Sequence, residues 1–289
     1  MRNTQKLKAL AAQREALLVP GAANGLFARV VADLGYEALY VTGAGIANMQ
    51  YGLPDIGLTT MTEVAQAVSA IADTVDLPLI VDCDTGFGNA LNVTRAIKVF
   101  ERAGASGIQL EDQVFPKKCG HFTGKAVIPV DEMVQKIKAA VDARVDGDLQ
   151  IIARTDARAL EGIDAALDRA RAYLEAGADI TFVEAPTDVD ELARIARELD
   201  APQVANMVFG GRTPEPGRER LSAMGFSLVL YANASLQAAL QAARDVLGSL
   251  RDEGSLARVG DKLASFELRQ ESVGKAAWDE LEARYRVKD

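Results

Sequence analysis

The scarce reactive side chains of this chain are concentrated in one stretch, EDQVFPKKCGHFTGK, at residues 111–125. It contains His121, the only histidine in the sequence, and Cys119, one of two cysteines. Lys117 and Lys118 come directly before the cysteine, and a positively charged setting lowers the pKa of a thiol. Cys119 is therefore a candidate proton donor or acceptor, with Lys118 and His121 tuning it. The alternative is an inert cysteine in a polar loop.

Three carboxylates follow apolar runs that read as strands. Asp82 and Asp84 occur in LIVDCD, and Glu111 lies near the end of GIQLED. Side chains two residues apart on a strand point to the same side, so we expect Asp82 and Asp84 to face one cleft, with Glu111 beside them. Three acids in one cleft repel one another unless they are protonated or bridged by a cation, and ligation by oxygen alone suits Mg²⁺ or Mn²⁺. The alternative is that these acids cap the helices that follow.

A guanidinium lies near the end of the otherwise apolar run QIIARTD, as Arg154. At the end of a buried strand it needs an anion, which is either Asp156 or a substrate carboxylate held by two parallel hydrogen bonds. Glu184, in DITFVEAP, occupies a similar position. The sequence therefore predicts a carboxylate-binding role for Arg154, and a buried structural pair of Arg154 with Glu184 is the alternative.

Eight short apolar runs recur along the chain, each followed by a helical pattern. The helical segments carry apolar residues at three- and four-residue spacing. Strands that alternate with helices indicate a parallel sheet covered by helices, and eight strands close a (β/α)8 TIM barrel of the α/β class. An open doubly wound sheet is the alternative. The predicted strands are residues 16–20, 38–43, 79–84, 107–112, 150–156, 179–186, 203–207 and 226–232.

The ends of these strands predict where the chemistry lies, because active sites of such barrels form at the carboxyl ends of the strands. The loop with Cys119 follows the fourth strand and is longer than most connections of this kind, which is typical of a lid. The polar residues that the strand ends supply are Thr42, Asp82, Asp84, Glu111, Asp112, Arg154, Asp156, Glu184 and Asn206.

Helical patterns account for the connections and for the end of the chain. Three helices follow NALN, PVDE and TDVD, whose Asn or Asp side chains can cap the first turn. We read residues 1–289 as one barrel domain with a helical extension over about residues 240–289. This extension exceeds what a barrel needs to close and can reach a neighbouring subunit, so we expect an oligomer.

The composition narrows the classes of partner. A net charge of −9 does not favour nucleic acid or an anionic membrane surface, because neither would be electrostatically complementary. An anionic small molecule is compatible with it where a local cation offsets the charge. Two cysteines do not build a disulfide framework, and no stretch approaches the roughly 20 apolar residues of a membrane span. These features predict a cytoplasmic protein that acts on a small molecule.

The motifs together resemble the isocitrate lyase and phosphoenolpyruvate mutase superfamily from about residue 15 to the end. The matching segments are YVTGAG, GLPDIGLTT, DCDTGFGNALNV, LEDQVFPKKCGH, IIARTDA, FVEAP and NMVFGGRTP. This resemblance implies a TIM barrel whose eighth helix is exchanged between subunits, in a homotetramer that is a dimer of dimers. It also implies Mg²⁺ bound directly by Asp84, with Asp82 and Glu111 acting through water.

The resemblance also implies roles for individual residues. KKCGH is the signature of the carbon–carbon lyase branch, in which the cysteine is the acid or base on the lid. The reaction implied is a metal-dependent retro-aldol cleavage of a 2-hydroxy di- or tricarboxylate to a 2-oxo acid such as pyruvate and a carboxylic acid. The implied contacts to the substrate carboxylate and enolate are Thr42, Gly43, Ala44, Asp55, Arg154, Glu184 and Asn206.

The substrate is less sharply implied. The branch contains lyases for 2-methylisocitrate and 2,3-dimethylmalate, oxaloacetate hydrolase, and carboxyphosphonoenolpyruvate mutases, so a hydrolase or decarboxylase of oxaloacetate and a phosphonomutase are the alternatives. Three positions depart from the expected patterns: Cys83, Phe209, and Ala232–Asn233 in YANAS. An apolar Phe209 is a poor neighbour for a third carboxylate, which favours a substituted malate.

Overall fold

The computed structural model describes residues 1–118 and 124–287. Within these residues eight parallel strands close into a barrel, in which each strand pairs with the next along the chain and the last pairs with the first. The predicted TIM barrel is confirmed, and the open doubly wound sheet is excluded. The strands are β1 (Leu17–Ala22), β2 (Leu39–Val41), β3 (Leu79–Asp82), β4 (Gly107–Glu111), β5 (Gln150–Thr155), β6 (Ile180–Val183), β7 (Gln203–Asn206) and β8 (Leu228–Tyr231).

Helices connect the strands and cover the outside of the barrel. In the described ranges, no helix is both long and apolar enough to cross a membrane. The helices are α1 (Asn3–Gln13), α2 (Gly25–Asp33), α3 (Gly43–Tyr51), α4 (Met61–Ala72), α5 (Ala90–Ala103), α6 (Val130–Ala143), α7 (Arg158–Glu161), α8 (Ile163–Glu175), α9 (Val189–Glu198), α10 (Arg218–Met224), α11 (Ala234–Glu253), α12 (Phe266–Glu271) and α13 (Lys275–Tyr285), with a 3-10 turn at Gly260–Lys262.

Alternation along the strands divides the apolar core into an inner and an outer part. Side chains such as Tyr40, Ile80 and Phe182 face the barrel axis and pack together there. Neighbours such as Val41 and Val81 belong to a second cluster, which packs against the helices. Because the strands are buried on both faces, their sequences read as nearly continuous apolar runs.

Helix α1 closes the amino-terminal end of the barrel. Leu7 is fully buried and Ala11 nearly so, and both belong to the cluster of inward-facing strand residues. Gly107 leaves room for this helix, since a Cβ there would lie 2.9 Å from Cδ2 of Leu7. With this end closed, the carboxyl ends of the strands are the end of the barrel that is available for a cleft.

Two of the three predicted helix caps are confirmed. Asn89 accepts hydrogen bonds from the first turn of α5, and Asp188 accepts one from the N–H of Glu191. The prediction for PVDE is wrong, because α6 begins directly after Pro129 and has no side-chain cap. Asp131 lies within the first turn instead, where a negative charge favours the positive end of the helix dipole.

The carboxyl-terminal helices leave large apolar side chains exposed. Helix α11 extends from the barrel, and in the described structure Val246 is its one buried residue. The predicted helical extension is confirmed, although it is broken into α11, a 3-10 turn, α12 and α13. A surface of this character is typical of a protein interface. The exposed side chains include Leu240, Leu247, Phe266, Leu268, Trp278 and Tyr285.

Candidate active site

Polar side chains form a layer above the inner core, at the carboxyl ends of the strands. On β3 the inward side chain changes from Ile80 to Asp82, and on β5 it changes from Ile152 to Arg154. The alternation of a strand explains this spacing of two residues. The same step leads from Gln109 to Glu111 on β4, from Phe182 to Glu184 on β6, and from Val204 to Asn206 on β7.

A cleft at this end of the barrel brings together most of the predicted substrate-binding residues. Glu111 is not among the residues that line it but lies next to one of them, with Oε2 3.5 Å from Nε of Arg154. Gln109 and Lys117 also contribute to the site. Gln109 had no predicted role, and Lys117 was predicted only as a positive charge beside Cys119. The residues that line the cleft are Tyr40, Thr42, Ala44, Asp55, Asp82, Lys117, Lys118, Arg154, Glu184, Asn206, Val208, Leu230, Ala232 and Asn233.

Asp84 does not follow the strand alternation that we predicted for its pair with Asp82. Strand β3 ends at Asp82, and Asp84 has a φ of 46°, a left-handed conformation that non-glycine residues rarely adopt. The N–H of Asp84 donates to Oδ1 of Asp82 at 3.2 Å. A turn that bends back onto the strand end therefore places the two carboxylates near each other, and such strained residues occur often at functional sites.

Lys117 lies among these carboxylates. Its side chain is 5% exposed, and its Nζ forms a short ion pair with Asp55 and lies 2.9 Å from Oδ1 of Asp84. Burial raises the pKa of Asp84 and Lys117 lowers it, and with Asp82 nearby the result is about 6. Burial by itself would lower the pKa of Lys117, but Asp84 and Asp55 raise it well above its ordinary value. The ammonium therefore stays charged and neutralises part of the acidic cluster.

The oxygens of the predicted metal site fit Mg²⁺ in their chemistry. Oε1 of Glu111 is buried and accepts no hydrogen bond from any described residue, whereas Oδ1 of Asp84 is buried with the ammonium of Lys117 2.9 Å away. Burial raises the pKa of Glu111 well above its ordinary value, although Arg154 opposes this. A buried carboxylate oxygen without a donor, such as Oε1 of Glu111, is a group that a divalent cation would stabilise.

The spacing of these acids does not form a ready-made metal site. In residues 1–118 and 124–287, no three Asp, Glu, Cys or His side chains are grouped so that they could hold a metal ion. Next to Asp84 lies the ammonium of Lys117. The trio of Asp82, Asp84 and Glu111 therefore stays a predicted metal site, and a bound cation would have to compete with Lys117 at Asp84.

Arg154 is held by a buried carboxylate. Its Nε donates to Oδ2 of Asp156 at 2.9 Å, and its Nη2 donates to Oδ1 at 3.2 Å. Lys125 donates to the same Oδ1 at 2.7 Å. Burial by itself would raise the pKa of Asp156, but Arg154 and Lys125 lower it below its ordinary value. The predicted anion at Arg154 is therefore Asp156, while Oε2 of Glu184, 3.9 Å from Nη2, forms a longer ion pair with the same guanidinium.

A hydrogen-bond chain supports Asp82 from inside the barrel. Tyr40 donates its hydroxyl to Oε1 of Gln109 at 2.6 Å, and Nε2 of Gln109 donates to Oδ1 of Asp82 at 3.3 Å. Burial, followed by the charge of Asp82, raises the pKa of Tyr40 well above its ordinary value, so the phenol stays neutral. Gln109 could have been found from the sequence, because it is a polar residue in the otherwise apolar strand β4, two positions before Glu111.

The beginning of helix α3 forms a further part of the cleft. Thr42 caps this helix by accepting from the N–H of Gly45, and the N–H of Gly43 donates to Oδ2 of Asp82 at 3.3 Å. A Cβ at position 43 would lie 3.0 Å from that oxygen, so a larger residue there would crowd the carboxylate of Asp82. Ala44 follows in the first turn, where N–H groups have no acceptor within the helix and can bind an anion.

Glu184 and Asn206 meet at the ends of β6 and β7. Nδ2 of Asn206 donates to Oε2 of Glu184 at 3.2 Å. Oδ1 of Asn206 is buried and accepts no hydrogen bond within the described part of the chain. The pair therefore presents both a carboxylate and an amide oxygen to the cleft.

The loop after β4 carries the predicted acid or base, but Cys119 and His121 lie outside the described residues. Lys118 lines the cleft, and its Nζ donates to the carbonyl of Gly124 at 2.7 Å. The backbone N–H of Lys118 donates to Oε1 of Gln113, and its carbonyl accepts from Nε2 of the same side chain. The described ends of the loop are therefore held together at the cleft.

The three positions that depart from the expected patterns differ in their surroundings. Phe209 is 86% exposed and does not line the cleft, whereas its neighbour Val208 does. Ala232 and Asn233 line the cleft, and Cys83 is fully buried in the outer core. The exposed position of Phe209 therefore gives no geometric support to a preference for a substituted malate.

Comparison with known proteins identifies the family. The family model described as phosphoenolpyruvate phosphomutase matches residues 7–251. The chain is 43% identical over 285 residues to 2,3-dimethylmalate lyase of Eubacterium barkeri, which covers 99% of each protein. The chain belongs to the phosphoenolpyruvate mutase/isocitrate lyase superfamily. A 2-methylisocitrate lyase of Shewanella oneidensis is 44% identical to this superfamily member over 87% of the chain and 86% of the relative.

Solved structures of superfamily members have the same fold. Oxaloacetate acetylhydrolase, in complex with the inhibitor 3,3-difluorooxalacetate, matches with a TM-score of 0.92 and 34% identity over 97% of this chain and 96% of that one. Phosphonopyruvate hydrolase, in complex with oxalate and Mg²⁺, matches with a TM-score of 0.89 and 31% identity over 99% of each chain. The comparisons confirm the predicted superfamily and the assignment to the lyases.

Proposed function

We propose that this protein is a carbon–carbon lyase that cleaves a 2-hydroxy di- or tricarboxylate of the 2,3-dimethylmalate or 2-methylisocitrate type. Its products would be a 2-oxo acid such as pyruvate and a carboxylic acid. The observation that carries the proposal is the juxtaposition of a buried guanidinium, Arg154, with the buried carboxylate of Glu111, whose Oε1 accepts no hydrogen bond within the described residues. The carboxylate of a 2-hydroxy acid can bind to the guanidinium. Its hydroxyl and carboxylate oxygens could bind to a cation that the acidic side chains hold. The similarity of this chain to a 2,3-dimethylmalate lyase and a 2-methylisocitrate lyase supports the same reaction.

Binding of the substrate carboxylate is assigned to Arg154 and the beginning of α3. Nη1 of Arg154 donates to no described residue, since its bonds to Asp156 come from Nε and Nη2. The N–H groups around Gly43 and Ala44 supply further donors. Asp55, Glu184 and Asn206 complete the polar lining and orient the reacting end of the molecule.

A divalent cation would be held by Asp84, Asp82 and Glu111. Magnesium, or manganese in its place, would supply polarisation of the substrate hydroxyl and carboxylate oxygens, which lowers the cost of ionising that hydroxyl. The chain itself would supply the charge balance, through Lys117 at Asp84 and Arg154 at Glu111. Gln109 keeps Asp82 oriented from below.

Proton transfer is assigned to Cys119. Retro-aldol cleavage leaves a carbanion-like carboxylic acid fragment, and a thiol can protonate it when lysine and histidine side chains adjust its pKa. Lys118, the residue before it, lines the cleft. Exclusion of water by the loop would protect the carbanion until it is protonated.

A release assay tests the proposal. Purified protein with Mg²⁺ is offered a series of C4 to C7 hydroxy-dicarboxylates and 2-methylisocitrate, and pyruvate and other 2-oxo acids are quantified. We expect release of a 2-oxo acid from a substituted malate or from 2-methylisocitrate. Release from none of them would exclude the proposed lyase.

Hydrolysis of oxaloacetate is the second candidate, because oxaloacetate acetylhydrolase is among the structures that match this chain. The same cleft would serve both reactions. Incubation of the protein with oxaloacetate and Mg²⁺ separates them, since hydrolysis yields oxalate and acetate whereas decarboxylation yields pyruvate. A phosphonomutase is not favoured, since KKCGH is the signature of the lyase branch.

Phe209 tests the choice between the two substrates. Because its side chain is 86% exposed, we expect Phe209→Glu to change the ratio of kcat/KM for 2,3-dimethylmalate and 2-methylisocitrate by less than about threefold, as is usual for surface substitutions. Val208→Glu is the matched variant inside the cleft and is expected to change that ratio by about tenfold or more. A large change from Phe209→Glu alone would place position 209 at the substrate.

The assembly is proposed to be a cytoplasmic homotetramer, a dimer of dimers in which the carboxyl-terminal helices are exchanged. The exposed apolar side chains of α11, α12 and α13 support this, because a second subunit would cover them. Light scattering of the purified chain gives the subunit number, and a variant that ends after Glu253 is expected to form smaller particles.

A further inference from the structure

Two buried cations share one carboxylate beneath the cleft. Lys125 has a side chain that is 2% exposed, and its Nζ lies 2.7 Å from Oδ1 of Asp156, which is fully buried. The same oxygen accepts from Nη2 of Arg154 at 3.2 Å, while Oδ2 accepts from Nε at 2.9 Å. The longer of these two contacts is the one in which Arg154 shares its acceptor with Lys125.

Without Lys125, the pair of Arg154 and Asp156 would carry no net charge. A carboxylate that accepts two parallel hydrogen bonds from a guanidinium neutralises it and occupies one edge of it. With Lys125 the three groups carry a net charge of about +1, because two cations face one anion. The Nη1 atom of Arg154 donates to no acceptor within residues 1–118 and 124–287, so one edge of the guanidinium is open to a ligand.

Two further carboxylates lie close to Arg154, and the excess positive charge offsets part of their negative charge. Oε2 of Glu111 lies 3.5 Å from Nε of Arg154, and Oε2 of Glu184 lies 3.9 Å from Nη2. Both acids face the guanidinium from neighbouring strands and oppose an incoming anion. A second buried cation offsets one of these negative charges at short range, where screening by solvent is weak.

The backbone fixes both partners of the shared contact. Lys125 is followed by Ala126, whose carbonyl accepts from the N–H of Val114 at 2.8 Å, so this end of the loop is paired with its beginning. The N–H of Asp156 donates to Oδ1 of Asp112 at 2.9 Å. Burial and these bonds hold the ammonium and the carboxylate in one arrangement.

We infer that Lys125 is a positioning residue for carboxylate binding: it neutralises Asp156, so that Arg154 keeps its positive charge and its open Nη1 edge for the carboxylate of the ligand. The inference rests on the proposed function in so far as the ligand is a carboxylate. It gives Lys125 no contact with the substrate and no part in proton transfer.

A cycle of charge-neutralising variants tests this assignment. Lys125→Met, Asp156→Asn and the double variant are compared with the wild type for binding of oxalate in the presence of Mg²⁺, by calorimetry, and for stability in urea. We expect Lys125→Met to raise the Kd of oxalate about tenfold or more, because Asp156 then cancels the charge of Arg154. The double variant is expected to recover most of that loss, since it removes the cation and the anion together. Lys138→Met, on the exposed face of α6, is the matched control and is expected to bind as the wild type does.

The outcomes separate this inference from the proposed function. Oxalate binding by Lys125→Met that equals the wild type, or a double variant no better than Lys125→Met, would overturn the role of Lys125. A wild type that binds no oxalate and cleaves no hydroxy acid would count against the proposed function alone. The urea cycle needs no ligand, so it still decides whether Lys125 neutralises Asp156. Neutralisation predicts that the double variant loses less stability than the sum of the losses in the two single variants, and the role is wrong if the losses simply add. If Lys125→Met is insoluble, Lys125→Gln in the same cycle takes its place.

Discussion

Replacing Cys119 with serine is expected to lower the rate of 2-oxo acid release by about 10²- to 10⁴-fold, the range usual for loss of a general acid or base. A serine hydroxyl has a similar shape but ionises at much higher pH, so it is a poor substitute for a thiol next to Lys118. The affinity for oxalate with Mg²⁺ is expected to stay within about threefold of the wild type, because the carboxylate is bound by other residues. The measurement is steady-state turnover, together with calorimetric binding of oxalate.

Cys83 supplies the control for this substitution. Its thiol is fully buried, and burial, followed by the charges of Asp84 and Asp82, raises its pKa, so it stays protonated and unreactive. We expect alkylation by iodoacetamide to inactivate the wild type and Cys83→Ala alike, through Cys119. Full activity of Cys119→Ser would show that the proton comes from another group.

Replacing Arg154 with methionine is expected to destabilise the fold by about 3–5 kcal/mol and to abolish binding of oxalate. Removing one partner of a buried ion pair leaves the other charge uncompensated, and here Asp156 and Glu111 both lose a neighbouring cation. Because the pKa of Asp156 is lowered in the folded protein, its stabilisation is present above about pH 4 and is lost as the pH falls through the lowered value. The difference between wild type and variant should therefore shrink in acid, which urea unfolding at pH 7 and at lower pH measures.

Arg154→Lys is the matched variant that keeps the charge. It should recover stability better than it recovers oxalate binding, since an ammonium cannot donate the two parallel bonds of a guanidinium. Equal oxalate affinity in the wild type and Arg154→Met would exclude Arg154 from carboxylate binding.

The barrel was predictable from the sequence because its signal is local and repeated. Each apolar run ends in a turn and precedes a helical pattern, and eight such units have one common closed arrangement. The predicted runs at 79–84 and 179–186 extend past the observed ends at Asp82 and Val183. Of the acids that follow these strands, Glu184 lines the cleft and Asp84 lies in a left-handed turn, so neither continues the strand ladder.

The site residues that lie on strands were predictable, because side chains on a strand alternate between the inside and the outside of the barrel. The placement of Asp84, beyond the end of its strand, was not. Asp82, Glu111 and Arg154 follow the inward register of their strands, so their convergence could be read from the sequence. Asp84 reaches the site through a left-handed residue, which the two-residue spacing does not encode. For Phe209 the sequence was misleading. It lies in a motif of the site, but its side chain is exposed and does not line the cleft.

The charge balance of the site was beyond sequence reasoning because it depends on contacts between distant segments. Lys117 pairs with Asp55 and Asp84, and Lys125 pairs with Asp156. In the sequence these lysines are part of a polar loop, where a solvated charge is the ordinary expectation. Only the closed barrel brings that loop against the ends of β3 and β5, so the neutralising role of each lysine is a property of the fold.

Cleavage carried out in D₂O tests the central claim most directly. The protein, with Mg²⁺ and the best substrate from the release assay, is allowed to turn over, and both products are quantified by mass spectrometry. Retro-aldol cleavage followed by protonation predicts one 2-oxo acid for each carboxylic acid formed, and one deuterium on the carbon of that acid from which the bond was broken. Formation of oxalate and acetate from oxaloacetate, with no cleavage of any hydroxy acid, would contradict the account.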